Sequence, residues 1–145
     1  MIQSANYVKE AWDSVFALNT LVKSIEDLNK IYDACKPSPR KVVSLLYCTT
    51  DDDIEKEALG YLKKFVRALS KDNLQHFLRY ATGADIICVP QINIMFNNQV
   101  GMNRRFIGHT CGSTLEVPVT YESYAVFKEE FLNLLRSGYW SMDFA

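Results

Sequence analysis

Ile107-Gly108-His109-Thr110-Cys111-Gly112-Ser113-Thr114-Leu115-Glu116-Val117-Pro118 is the segment from which the rest of the chain is most readily understood. Leu115 and Val117 alternate with polar residues, the period of a strand with one buried face. Upstream, Ile92, Ile94 and Phe96 alternate in the same way, and Asn97-Asn98-Gln99 with Gly101 supply turn chemistry. Glycines at 108 and 112 let the backbone between these runs turn sharply and be approached closely. Cys111 is therefore expected in a loop between two strands.

Away from this segment the period becomes helical. Ile54, Ala58, Tyr61, Leu62, Phe65 and Leu69 follow Thr50 and Asp51 to Asp53, a hydroxyl and carboxylates suited to a helix start. Those aspartates are read as a helix N-terminal charge cluster, not as a metal site. Ser70 opens a second helix through Leu74, Phe77 and Leu78, which Gly83 stops. A last helix carries Tyr124, Phe127, Phe131, Leu134 and Leu135 up to Gly138. Near the start, Val8, Trp12, Val15 and Phe16 mark one helical stripe. Ile25, Leu28 and Ile31 mark another, opened by Ser24 with Asp27 three residues later. Val42 to Leu46 fits either a short helix capped by Ser38-Pro39 or a strand.

This order predicts an α+β fold: helices, then a small, mostly antiparallel sheet with flanking helices. Lys36-Pro37-Ser38-Pro39-Arg40 is the best linker, giving a helical segment 1–36 and a domain 37–145. A net charge of −1 gives no electrostatic ground for nucleic acid or an anionic membrane surface. No apolar run approaches the roughly 20 residues that span a bilayer, and Met1-Ile2-Gln3-Ser4 does not begin a signal peptide. The expected compartment is intracellular and reducing, cytoplasmic or nuclear.

Cysteines stand at 35, 48, 88 and 111, with no close pair. That spacing suits neither a redox C-x-x-C nor a zinc knuckle, so no metal or cofactor is expected. All four are read as free thiols, three of them as small buried hydrophobes. Cys88, inside Ile86-Ile87-Cys88-Val89, should be less exposed than Cys111. Arg104, Arg105 and His109 near Cys111 would favour thiolate over thiol, the form that attacks carbonyl carbon. The plain alternative is a loop whose histidine bonds to backbone beside a half-buried thiol.

His109-Thr110-Cys111, then Leu115-x-Val117-Pro118, then Tyr121-Glu122-Ser123-Tyr124 opening a helix, resembles the C-terminal catalytic lobe of HECT-type ubiquitin ligases. Leu74-Gln75-His76-Phe77-Leu78-Arg79-Tyr80-Ala81-Thr82-Gly83 is similar to that family's phenylalanine-leucine…threonine-glycine helix end. The likeness runs from about Pro37 to Ala145, with residues 1–36 as the end of an amino-terminal lobe. It implies a ubiquitin transferase in which Cys111 carries a glycyl thioester, with His109 orienting the loop or biasing the thiol. Thr110 would hydrogen-bond the thiolate or the acyl oxygen, and backbone N–H groups of Gly112 and Ser113 would receive the oxyanion. Thr82 and Gly83 would shape the adjoining loop. The implied partners are ubiquitin, a conjugating enzyme docked through a missing amino-terminal lobe, and a substrate protein.

The chain departs from the family in having Phe106-Ile107 where a proline is usual and Gly112 where an aromatic often follows the cysteine. Met142 stands where a phenylalanine commonly lies fourth from the end. These motivate an alternative, a catalytically degenerate lobe acting as a ubiquitin-binding or regulatory module. An unrelated cysteine hydrolase is a third reading; it requires a base and a further orienting group, with His76 and His109 as the available histidines.

Overall fold

Among the described residues each α-helix opens on a serine or aspartate whose side chain accepts a backbone N–H that the helix itself cannot satisfy. In the computed structural model, which describes residues 24–138, Ser24 accepts from Asp27 (3.2 Å) ahead of α1, Ile25–Cys35. Ser38 accepts from Lys41 (3.3 Å) ahead of α2, Pro39–Leu45. Asp52 accepts from Ile54 and Glu55 (2.7 and 3.2 Å) ahead of α3, Asp53–Arg67. Ser70 accepts from Asn73 ahead of α4, Lys71–Thr82, and Ser123 from Val126 ahead of α5, Tyr124–Ser137. The Asp51–Asp53 cluster is thus a helix start, as its composition implies. Gly83 and Gly138 close α4 and α5 at φ +84° and +67°. The stripe at Val8 to Phe16 and the tail from Tyr139 lie outside the described residues.

The chain divides between Cys35 and Lys36 into two units. Of the first, only α1 is described, and none of its residues is buried. In the second, the ambiguous stretch at Val42 to Leu46 is both things that its composition allows. It is helical to Leu45 and then becomes the two-residue strand β1, Leu46–Tyr47.

Three further strands follow: β2 (Ile92–Asn97), β3 (Ile107–His109) and β4 (Thr114–Pro118). The sheet order is β1-β2-β4-β3. β1 and β4 both run parallel to β2, and only β3 and β4 are antiparallel. The α+β class therefore stands, but the sheet is mostly parallel where a mostly antiparallel one was expected. Alternation reports which face of a strand is buried, and it carries no information about strand direction. Asn97-Asn98-Gln99 is not a hairpin turn but the start of a long return. Val119 N–H donates to the Asn97 carbonyl (3.0 Å) and the Thr120 hydroxyl to the Gln99 carbonyl, pinning that return to the end of β4.

Ile92, Ile94, Leu115 and Val117 point from the sheet into a core completed by Leu62, Phe65, Phe77, Phe127 and Phe131. Phe106, just before β3, stacks on Phe131 with ring centroids 3.9 Å apart and on Tyr121 at 5.6 Å. Burying a phenylalanine this fully contributes about 2–3 kcal/mol, so Phe106 anchors the approach to the cysteine segment. On the opposite face of the sheet Tyr47 and Met95 remain more than half exposed. Among the described residues no helix is long and apolar enough to cross a membrane.

Candidate active site

Two short runs far apart in sequence meet at the end of α4. The Tyr80 hydroxyl donates to the Phe106 carbonyl (2.8 Å). Gly108 packs so closely that a β-carbon there would collide with the Tyr80 carbonyl oxygen. One turn further, Gly83 faces Thr110, whose Cβ would lie 3.4 Å from a β-carbon at position 83. Thr82 folds back, its hydroxyl donating to the Leu78 carbonyl (2.8 Å) and accepting from Ala84 N–H (3.3 Å). The threonine-glycine helix end and the His-Thr-Cys loop, read separately in the sequence, are therefore in contact.

Cys111 sits in a single 3₁₀ turn, Thr110–Gly112, that joins β3 to β4, and it is exposed. Ser113 closes the turn in the left-handed region (φ 46°, ψ 48°), a conformation costing a non-glycine residue about 1–2 kcal/mol. Two backbone bonds hold it: Ser113 N–H donates to the Thr110 carbonyl (3.3 Å), and Asn93 N–H donates to the Ser113 carbonyl (2.9 Å). Of the two amides expected to receive an oxyanion, that of Ser113 is therefore engaged within the turn. Gly112 lies within the same 3₁₀ turn, and its carbonyl accepts from the Thr114 hydroxyl (3.1 Å). A β-carbon there would meet only the Thr114 hydroxyl, at an ordinary 3.5 Å.

His109 ends β3 with its side chain about half exposed, and its Nε2 lies 2.7 Å from Oε1 of Glu116 on β4. Neither sequence reading of His109 named this partner. Register explains it: Ile107 pairs with Glu116 and His109 with Thr114, so His109 and Glu116 share one face of the hairpin. The alternation of Glu116 with Leu115 and Val117 was the signal that could have found it.

The local cationic surroundings differ from expectation. Arg104 turns towards α5, donating to both carboxylate oxygens of Glu130 (3.3 and 2.5 Å) and to the Thr120 carbonyl (3.0 Å). Its guanidinium also lies over the Tyr121 ring at 4.2 Å. The hydrogen bonds to Glu130 push Arg104 further up, outweighing burial. Arg105 stays exposed.

The four thiols are free, but they are not three buried and one exposed. Cys35 and Cys48 are half-buried, and Cys88 is exposed like Cys111. The run at Ile86 to Val89 forms no strand; Ile87 and Val89 pack partly buried against the core, and Ile86 and Cys88 are exposed. Burial pushes the Cys48 thiol up, and the negative charge of Glu55 adds to the effect. Among the described residues no three His, Cys, Asp or Glu side chains gather as a metal ion would need. His76 lies on α4, half-buried. Compared with known proteins, the chain matches no family model and no curated sequence.

Proposed function

We propose that the unit from Lys36 onward accepts ubiquitin as a thioester on Cys111 and passes it to a substrate lysine, in the manner of a HECT-type catalytic lobe. The observation that carries this reading is the seating of the His109-Thr110-Cys111 turn on the Thr82-Gly83 helix end, which brings both family-like runs to one exposed thiol. In the first transfer the Cys111 thiolate attacks the carbonyl carbon of the conjugating enzyme's ubiquitin thioester. The new carbon–sulfur bond forms, the old one breaks, and the donor sulfur leaves as its thiolate. In the second a neutral lysine amine attacks, the Cys111 thiol leaves, and the proton shed by the nitrogen returns to it. Exchanging one thioester for another costs little, so positioning supplies most of the rate. The conjugating enzyme would engage through an amino-terminal lobe, and the setting would be cytoplasmic or nuclear.

Two observations favour other readings. Arg104 is committed to Glu130 and the Ser113 amide to Thr110, which suits a slow or degenerate lobe that binds ubiquitin without turnover. Glu116 supplies the third group that a Cys-His-Glu hydrolase needs. The test is charging with activating enzyme, a panel of conjugating enzymes and ubiquitin, resolved on a non-reducing gel. A reducible adduct, absent in Cys111→Ala, supports the transferase. Binding without an adduct supports the regulatory lobe. Turnover of small thioesters without ubiquitin supports the hydrolase.

A further inference from the structure

We infer that Asn93 and Thr114 are positioning residues for Cys111: together they hold the carbonyl of Gly112, the residue that follows it. This rests on reading Cys111 as the nucleophile. The two stand opposite each other across β2 and β4. The Thr114 hydroxyl donates to the Gly112 carbonyl at 3.1 Å, and Asn93 Nδ2 donates to the same oxygen at 3.5 Å. A carbonyl oxygen has two lone pairs, so it takes both donors at once. Gln91 sets which way the Asn93 amide faces. Its Nε2 donates to Asn93 Oδ1 (2.8 Å), which leaves Nδ2 for the turn.

The turn itself explains why such a hold matters. Glycine has the widest choice of backbone conformations, and Gly112 is the direct neighbour of Cys111 in a three-residue turn. Ser113 follows in the left-handed region, which a serine occupies only under restraint. A planar trans peptide joins the two, so fixing the Gly112 carbonyl also fixes the direction of the Ser113 N–H. That N–H donates to the Thr110 carbonyl (3.3 Å), across Cys111, and the Ser113 carbonyl accepts from Asn93 N–H (2.9 Å). Cys111 is thus bracketed by main-chain bonds: the residue before it is tied to Ser113, and the residue after it is tied to β2 and β4. The backbone that carries the sulfur is held against the sheet without any side chain touching the sulfur. Asn93 and Thr114 supply, through one carbonyl, the restraint that a glycine cannot supply for itself. For an exposed thiol that must meet a bulky donor, placement is what the fold has to contribute.

The experiment uses the full ¹⁵N-labelled chain and the variants Asn93→Ala, Thr114→Val, their combination, and that combination with Gly112→Ala. Backbone order parameters of residues 110–113 should lie near 0.85 in wild type and below about 0.6 in the double variant, with β2 and β4 unchanged. Each single variant should lose less than half as much, because the other donor remains on the shared acceptor. Gly112→Ala should restore the order. Position 112 has no positive φ and room for a β-carbon, so alanine narrows the backbone without disturbing the turn. At saturating ubiquitin-charged conjugating enzyme, the double variant should load Cys111 roughly tenfold more slowly, with the half-saturating donor concentration unchanged. Alkylation of Cys111 by iodoacetamide should not change, since a small reagent needs no fixed approach. Should the double variant not fold, each single variant with and without Gly112→Ala makes the same comparison. Wild-type order in the double variant, no recovery with Gly112→Ala, equal loading of wild type and double variant, or a matching fall in alkylation overturns the inference. Loss of order in a chain whose wild type never loads ubiquitin keeps the hold on the turn and removes the ligase.

Discussion

Gly108 and Tyr80 are in such close contact that no other residue type fits at position 108: a β-carbon would fall on the Tyr80 carbonyl oxygen, a backbone atom near the end of α4. This contact, with the Tyr80 hydroxyl on the Phe106 carbonyl, ties the strand before Cys111 to the helix that ends at Gly83. The thiol's position therefore depends on a helix whose sequence begins forty residues upstream, at Lys71.

Gly108→Ala should destabilise the protein by about 2–3 kcal/mol, at the upper end for overpacking because neither backbone can give way. Gly83→Ala should cost only about 1 kcal/mol, the penalty for a positive φ, since its β-carbon would make an ordinary contact with Thr110. Urea midpoints measure both. Equal losses at the two positions would remove the close-packing explanation.

Phe106→Ala should be more costly still, about 3–5 kcal/mol, because the ring is buried and stacked between Phe131 and Tyr121. Thermal unfolding of this variant against wild type gives the value. A loss under about 1 kcal/mol would mean that the core collapses around the gap.

Stability should fall in alkali before any general loss of structure. Burial pushes the Tyr121 hydroxyl well above the ordinary tyrosine range, helped by its hydrogen bond to Glu130, and burial also raises Tyr80. A raised folded value means that the unfolded chain loses the proton first. The stabilisation is complete below about pH 10 and is lost as pH rises through the folded values. Melting temperatures from pH 8 to 11 should show a decline beginning near 10, and Tyr121→Phe should flatten part of it. An identical decline in the variant would assign the effect elsewhere.

The thiols should label in two groups. Cys111 and Cys88 are exposed and should react ahead of Cys35 and Cys48. Cys48 should be slowest near neutrality and gain most as pH is raised, because burial disfavours its thiolate. Timed alkylation with peptide mapping at pH 7 and 9 decides this, and early labelling of Cys48 would contradict it.

Much of this was legible from residue spacing. Ser24, Ser70, Gly83 and Gly138 mark helix ends because capping is local chemistry, and Cys111 falls between strands because glycines and alternation announce it. What escaped was non-local. The parallel pairing of β2 with β4 is set by how the chain returns through residues 98–106, and alternation at Ile92 or Leu115 does not encode it. Arg104 looked like a neighbour of the thiol by sequence distance, yet Glu130, twenty-six residues on, holds it. Glu116 alternates with the buried Leu115 and Val117, and only the hairpin register shows it beside His109. The apolar neighbours of Cys88 suggest burial, yet Ile87 and Val89 turn towards the core and leave Cys88 between them exposed.

The most direct measurement is the mass and location of the adduct formed when the chain meets a ubiquitin-charged conjugating enzyme, alone and with a complete HECT amino-terminal lobe fused ahead of it. Alone, Cys111 must meet the donor by collision, without the effective molarity that docking confers. The expected result is one ubiquitin on Cys111, formed slowly by the chain itself and much faster by the fusion, released by thiol reductant and missing in Cys111→Ala. Attachment at Cys35, Cys48 or Cys88, or no adduct even from the folded fusion, would contradict a thioester-forming role for Cys111.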